Sequence, residues 1–348
     1  MICWTVRVDN SPNCIRSLEK RQELKLYQMN TTKSESMRAV VLDAFGGAEV
    51  LHVAALAKPQ IGAGDVLVRV SYAAVNPIDA KTRAGKGVPV DHFPAVLGWD
   101  VCGTIVQRAA NVAAFKEGDE VFGMVQFPAI ASCYADYVRV PASSLARRPE
   151  NVTMAEAGGA SMASLAAWQA LFPFCGPLAG LRVLIHGGAG GVGHVAVQLA
   201  RLAGAEVTAT ASADNRAFLT ELGANRVVDY KPERIEDAVH DLDVVIDTRG
   251  GADYARLVKT LKSSGIIVSL LGREQAKNAS EALSRGIRTG FVYVQPDGTM
   301  LQRVAQLMAD RSLKIIIDKQ FVLDQAAEAH RYVEAGHSRG RVLLRMAE

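Results

Sequence analysis

Hydrophobic and polar positions change period along this chain. From residue 37, short apolar runs at 37–42, 66–75, 97–106, 120–124 and 134–140 are separated by Gly, Pro and Asp, the texture of an all-β region. From about residue 154 the period becomes helical. Apolar strand-like runs at 182–186, 206–211, 226–229, 243–247 and 265–271 then alternate with helical stretches. That alternation predicts a parallel sheet covered on both faces. A further run at 290–294 precedes a helix predicted over 297–310. The tail, 314–321 and 341–345, is β-like again and is expected to return to the first region. The expected fold class is therefore α/β, with a doubly wound parallel sheet inserted in a β-rich domain. The boundaries are 37–158 with 295–348 for the outer domain and 159–294 for the inner one.

The sharpest local pattern lies where the inner domain begins. An apolar run, Val183 to Ile185, is followed by a glycine turn containing Gly188, Ala189, Gly190, Gly191, Val192 and Gly193. Gly188, Gly190 and Gly193 fall at G-x-G-x-x-G spacing, and Val195, Ala196, Leu199 and Leu202 then recur at helical spacing. Strand, glycine turn and helix together form the dinucleotide-binding pattern. The glycines allow a tight turn, close approach of backbone to a pyrophosphate, and close helix–strand packing. The helix N-terminus supplies N–H groups and a positive dipole end.

The dinucleotide is expected to be NADPH. NAD-binding units place Asp or Glu about 20 residues after the glycines, against the ribose hydroxyls. Here the second strand ends Thr208-Ala-Thr-Ala-Ser-Ala213, with no carboxylate at its end. Ser212 is neutral and Arg216 follows, a pair suited to a ribose phosphate that a carboxylate would repel. Taken alone, Arg216 reads equally as a solvated helix residue.

Composition narrows the partners. With 22% charged residues, 49% hydrophobic residues and a net charge of only +3, the chain reads as globular. No basic block marks it for nucleic acid, and no apolar run is long enough for a transmembrane helix. Five scattered cysteines, with no C-x-x-C pair, argue against a disulfide framework and a thiolate zinc site. A reducing cytoplasm is the expected compartment. Residues 1–36 are polar, with a short helix conceivable at 18–27. They carry no apolar signal core, and Asp9, Glu19, Glu23 and Glu35 argue against a transit peptide. They are expected to form a flexible extension, with Met29 or Met37 as alternative starts.

Several motifs then carry a resemblance. They are Asn76-Pro-Ile-Asp79-Ala-Lys-Thr-Arg83-Ala-Gly85, Pro94-Ala-Val-Leu-Gly98-Trp-Asp-Val-Cys-Gly103, Gly118-Asp-Glu-Val-Phe-Gly123, the glycine turn, and Gly336-His-Ser-Arg-Gly-Arg341-Val-Leu-Leu344. In this order the chain resembles the medium-chain dehydrogenase/reductase superfamily, and within it the zinc-independent quinone oxidoreductase and enone reductase branch. The resemblance implies a GroES-like domain built from both chain ends, an inserted Rossmann domain and a catalytic cleft between them. It carries Tyr230 and Arg341 to the adenosine-phosphate side of the cofactor. It carries backbone groups of Leu271, Gly272 and Val292 to the nicotinamide amide. It also implies homodimerisation through an edge strand, for which 290–294 is suited. One departure stands out: Ala166 occupies the place of a branch threonine near the nicotinamide.

Zinc-dependent relatives have Cys where this chain has Asn76, and a His-Glu pair where it has Trp99-Asp100. An amide and an indole are not zinc ligands, so no metal is expected. Without a Lewis acid, hydride transfer to a quinone or an activated C=C bond needs only a donor or cation beside the oxygen that gains charge. Lys81 is the candidate electrophile and proton relay, against a plain surface lysine. Asn76 is a candidate donor to substrate or nicotinamide ribose, against a turn-former before Pro77. Asp79 is a candidate orienter of Lys81 or Arg83, against a helix cap. Tyr134 and Trp99 read as core packing as readily as cleft residues. The functional reading is an NADPH-dependent reductase acting on a small quinone or enone. The alternative is an NADPH-binding sensor or structural protein with little turnover.

Overall fold

The computed structural model describes residues 36–271 and 279–346. The expected extension and its 18–27 helix lie outside the described residues, as does Gly272.

Six parallel strands form the inner sheet, in the spatial order Arg226–Asp229, Glu206–Ala211, Arg182–His186, Leu242–Asp247, Leu261–Ser269 and Arg288–Phe291. Strand order reverses beside Arg182–His186, the switch point at which open α/β sheets bind ligands. The central strands, Arg182–His186 and Leu242–Asp247, are mostly buried apolar runs because both faces are covered. Arg288–Phe291 is the sheet edge, and begins two residues earlier than the sequence pattern suggests.

The outer domain is built around a larger sheet. Its path runs Ile317–Val322, Arg341–Arg345, Asp65–Val75, Asp100–Arg108, Glu120–Met124 and Leu145–Arg147, with Tyr137–Pro141 pairing Asp65–Val75. Val342 pairs with Val75, so the tail returns to the first region. A small sheet of His52–Ala57, Ser36–Leu42 and Ala95–Val96 completes it. The continuous strand expected over 97–106 is broken. Gly98 takes φ +93°, and a Cβ there would lie 2.4 Å from the Tyr134 ring. The chain therefore turns at Gly98 and begins a new strand at Asp100.

Helix Met154–Cys175 joins the two regions. The Thr153 hydroxyl accepts from Glu156 N–H and the Glu156 carboxylate accepts from Thr153 N–H, a capping box that fixes its start. Its faces are buried nearly all round because sheets and a helix pack on it. Gly158 and Gly159 permit this approach: side chains there would come within 2.6 Å of Tyr72 and 2.9 Å of Ile317. Among the described residues, no helix is long and apolar enough to cross a membrane.

Candidate active site

A cavity of about 590 Å³ opens at the switch point, between the inner sheet and the outer domain. Its floor is the glycine turn. Gly187 adopts φ +79°, and its N–H donates to the Thr210 hydroxyl at 2.9 Å. A Cβ on Gly193 would sit 2.1 Å from the Gly187 carbonyl oxygen, so helix and strand meet here without room for a side chain. A Cβ on Gly190 would meet nothing closer than 3.5 Å, because this residue faces the cavity. The following helix, Gly193–Leu202, has no side-chain cap at its start. The cradle therefore fits a diphosphate by close approach and by helix polarity.

His194 holds the turn from behind. It is fully buried; its Nδ1 pairs with the Gly190 carbonyl at 3.0 Å and its Nε2 accepts from Ile316 N–H at 3.3 Å. Those partners require a neutral ring protonated on Nδ1. Burial pushes its pKa down to about 4.

Arg341 lies under the same turn. Its guanidinium NH1 would be 3.0 Å from a Cβ on Gly191. Nε donates to the Gly159 carbonyl at 2.9 Å, and NH2 donates to Asn76 Oδ1 at 2.9 Å and to the Asp100 carboxylate at 3.1 Å. Asn76 Nδ2 in turn donates to Asp100 at 2.9 Å, and the other Asp100 oxygen accepts from Met162 N–H. Arg341, expected on the adenosine-phosphate side, lines the cavity from beneath the glycine turn, with its fork claimed by Gly159, Asn76 and Asp100. The expectation for Asn76 is corrected. Its amide orientation is fixed by a donor on one side and an acceptor on the other. What it offers the cavity is chiefly an oxygen, an acceptor for a hydroxyl rather than a donor to substrate.

Asp79 is a structural residue and no wall of the cavity. It is fully buried, and its carboxylate accepts from Asn76 N–H at 2.7 Å and Gly98 N–H at 3.0 Å. It thereby fixes both the start of helix Pro77–Arg83 and the Gly98 turn. Burial pushes its pKa up to about 7. Nor does it orient Arg83, which is paired with Glu334 at 2.7 Å. Lys81, exposed on the same helix, does line the cavity. Ala166 lines it too, so the missing threonine hydroxyl is missing from the wall itself. Tyr134 and Trp99 are fully buried, Trp99 through a 2.7 Å bond from its indole N–H to the Ala129 carbonyl.

Leu271 and Val292, expected beside the nicotinamide amide, line the cavity. Val292 N–H is already bonded to the Ser269 carbonyl at 3.0 Å, so only its carbonyl remains for a ligand. Ser212 and Tyr230, expected towards the adenosine phosphate, also line the cavity, and Arg249 lies over the Tyr230 ring at 5.7 Å. Arg216 does not join them: its guanidinium donates to the Val227 carbonyl at 2.9 Å, along its own helix–strand seam. A different arginine, exposed just outside the cavity lining, reaches Asn215 and also donates to the Asp214 carbonyl at 3.2 Å. Arg339 Nε donates to Asn215 Oδ1 at 2.8 Å, and the Asn215 amide donates to the Ser212 hydroxyl at 2.9 Å. In a regular strand Arg339 and Arg341 would share a face, but Gly340 takes φ +85° and turns the chain between them, ahead of the strand that starts at Arg341.

Comparison with known proteins agrees with this architecture. Residues 62–150 match the alcohol dehydrogenase GroES-like domain, and residues 222–344 match a zinc-binding dehydrogenase domain. The chain is 34% identical to a chloroplastic NADPH-dependent alkenal/one oxidoreductase of Arabidopsis thaliana, over 89% of this chain and 80% of the relative. It is 33% identical to 2-methylene-furan-3-one reductase of Solanum lycopersicum, over 88% of this chain and 79% of that one. A solved quinone oxidoreductase from Coxiella burnetii superposes with a TM-score of 0.86 at 33% identity, covering 90% of this chain and all of that one. The chain belongs to the medium-chain dehydrogenase/reductase superfamily. Within it the chain falls in the quinone oxidoreductase and enone reductase branch, and it is an oxidoreductase rather than a dinucleotide-binding protein with little turnover.

Proposed function

We propose that this chain is a zinc-independent, NADPH-dependent reductase of enones and quinones. The observation that carries the reading is one cavity walled by the glycine turn, the Asn76–Arg341 pair and Lys81. When bound, the reduced dinucleotide supplies the hydride. Gly190 and Gly191 admit its diphosphate, and Arg341 places a cation beneath it. Asn76 offers its amide oxygen to a ribose hydroxyl. Lys81 stabilises the negative charge that develops on the acceptor's conjugated oxygen and returns a proton to it. The donor set supports a metal-free site: the Asp100 carboxylate already binds a guanidinium, whose charge would repel a divalent cation.

Preference for the phosphorylated dinucleotide rests on the neutral Ser212 corner and the Arg339–Asn215 pair beside it. Those are the partners a ribose phosphate requires. The exposed edge Arg288–Phe291 supports a homodimer paired through that strand. The test of function is loss of reduced-nicotinamide absorbance with a panel of enones and quinones, in the presence of a chelator. Turnover by the chelated protein supports the reading. Tight NADPH binding with no turnover on any acceptor overturns it.

A further inference from the structure

A row of three aromatic rings runs from the core of the outer domain into the cleft. Trp99 meets Phe127 edge-on at 5.5 Å and 79°, and Phe127 meets Tyr293 at 5.7 Å and 46°. Phe127 comes from the loop after strand Glu120–Met124, and Tyr293 from the segment after Arg288–Phe291. The two rings therefore belong to opposite walls, and both line the cavity.

The Phe127 ring and the main chain that carries Tyr293 are both held in place. Trp99, fully buried and bonded to the Ala129 carbonyl, backs Phe127. The main chain beyond Tyr293 is pinned by a two-way amide pair: Gln295 N–H donates to Gln169 Oε1, and Gln169 Nε2 donates to the Gln295 carbonyl, each at 2.9 Å. Gln295 Nε2 also donates back to the Tyr293 carbonyl at 3.2 Å. Yet the Tyr293 side of this arrangement is 53% exposed. A fixed main chain that presents a half-exposed ring to a cavity is preorganised for a ligand. The tilt of 46° is neither stacked nor perpendicular, so a flat ring entering the cleft can meet both aromatics in favourable offset or edge contacts.

We propose that Phe127 and Tyr293 are the specificity-determining pair of this cleft, and that they select acceptors whose reacting double bond is conjugated to a flat ring. The claim rests on the reductase reading for its substrate class, but the clamp itself is a property of binding. It concerns the part of the acceptor remote from the reacting carbon; Lys81 serves the reacting end.

The experiment uses the full chain loaded with oxidised nicotinamide cofactor, which binds acceptor without turning it over. Dissociation constants are measured by calorimetry for benzylideneacetone and for an aliphatic methyl ketone enone with the same number of carbons. The ring compound is expected to bind about 10-fold tighter, a ratio equivalent to about 1.4 kcal/mol. Tyr293→Leu and Phe127→Leu should each reduce that ratio, and the double variant should abolish it. Tyr293→Phe should keep it, and Phe45→Leu, an exposed aromatic outside the cavity, should leave it unchanged. Because the readout is a ratio on one protein, a partly unfolded variant still reports it. Equal binding of the two enones, or a preference that survives the double variant, overturns the proposal. Turnover of the same two enones with NADPH is measured separately. Selective binding without turnover would sustain the clamp and defeat the reductase reading.

Discussion

The Arg341 guanidinium donates to the side-chain oxygen of Asn76 at 2.9 Å, deep beneath the glycine turn. This bond joins the last strand of the chain to the helix that carries Lys81. Both residues also meet Asp100, so a charge, an amide and a carboxylate fix one another in the wall of the cleft. Arg341→Met should leave the fully buried Asp100 carboxylate without its cation. The expected loss is about 3–5 kcal/mol of stability, read from urea unfolding, because an unpaired buried charge is costly. A loss within 1 kcal/mol, by the order-of-magnitude scale for surface substitutions, would mean the network is dispensable.

Cofactor choice is tested by two arginines. Arg339→Ala should weaken NADPH by about one to two decades while changing NADH little, since a charge-assisted contact contributes about 1.5–3 kcal/mol. Arg216→Ala should affect both alike, because its guanidinium is spent on the Val227 carbonyl. Fluorescence titration of both cofactors against both variants decides it. The reverse pattern would return the phosphate contact to Arg216.

Much of this was legible in the chain. The parallel sheet followed from apolar runs at residues 182–186, 206–211 and 226–229, all observed with those bounds. The glycine turn was legible because its geometry demands glycine. What escaped was set by partners distant in sequence. Arg216 and Arg339 look equivalent in a string of letters; only folding shows which one reaches Asn215. Asp79 and Lys81 are two residues apart on one short helix, yet burial makes the first a brace and exposure makes the second a wall of the cavity. Strand His52–Ala57 is mostly exposed, with only Ala54 and Leu56 half-buried, and it pairs at one edge, too weak a pattern to announce itself.

Two glycines separate packing from binding. Gly193→Ala puts a methyl group 2.1 Å from a backbone oxygen, so helix and strand must part, and the folded protein should be lost or markedly destabilised. Gly190→Ala meets no atom within 3.4 Å and should keep stability within about 0.5 kcal/mol of the parent. Its methyl group nonetheless points where the diphosphate must lie, so cofactor binding should fall more than 10-fold, about 1.4 kcal/mol. Thermal unfolding and cofactor titration of each variant check the pair. Normal cofactor binding by Gly190→Ala would move the diphosphate elsewhere.

Stability should depend on pH through His194. Burial holds its folded pKa near 4, below the usual 6.5. Between those values the unfolded chain takes up a proton that the folded protein refuses. Its contribution is therefore full above about pH 6.5 and is lost as pH falls towards 4. His330, pushed down to about 3 by burial, acts with the same sign. His194→Gln removes the first titration, so its unfolding midpoint should fall less steeply with acid than the parent's. Parallel pH profiles would show that His194 takes up its proton alike in the folded and unfolded chain, contradicting the burial effect.

Lys81→Met should lower turnover with enones at least 10-fold while cofactor affinity stays within about twofold, the mark of an interaction made at the reacting oxygen. Steady-state kinetics with one enone, alongside cofactor titration, separates the two quantities. Unchanged turnover would return Lys81 to the category of a solvated surface residue.

The most direct test follows the hydride itself. Chelator-treated protein is given an enone and NADPH carrying deuterium at both C4 positions of the nicotinamide, and the product is examined by mass spectrometry and NMR. The account predicts a saturated ketone with one deuterium at the carbon β to the carbonyl, formed at the same rate before and after chelation. Unlabelled product, or activity that vanishes with the metal and returns when zinc is added, would contradict it.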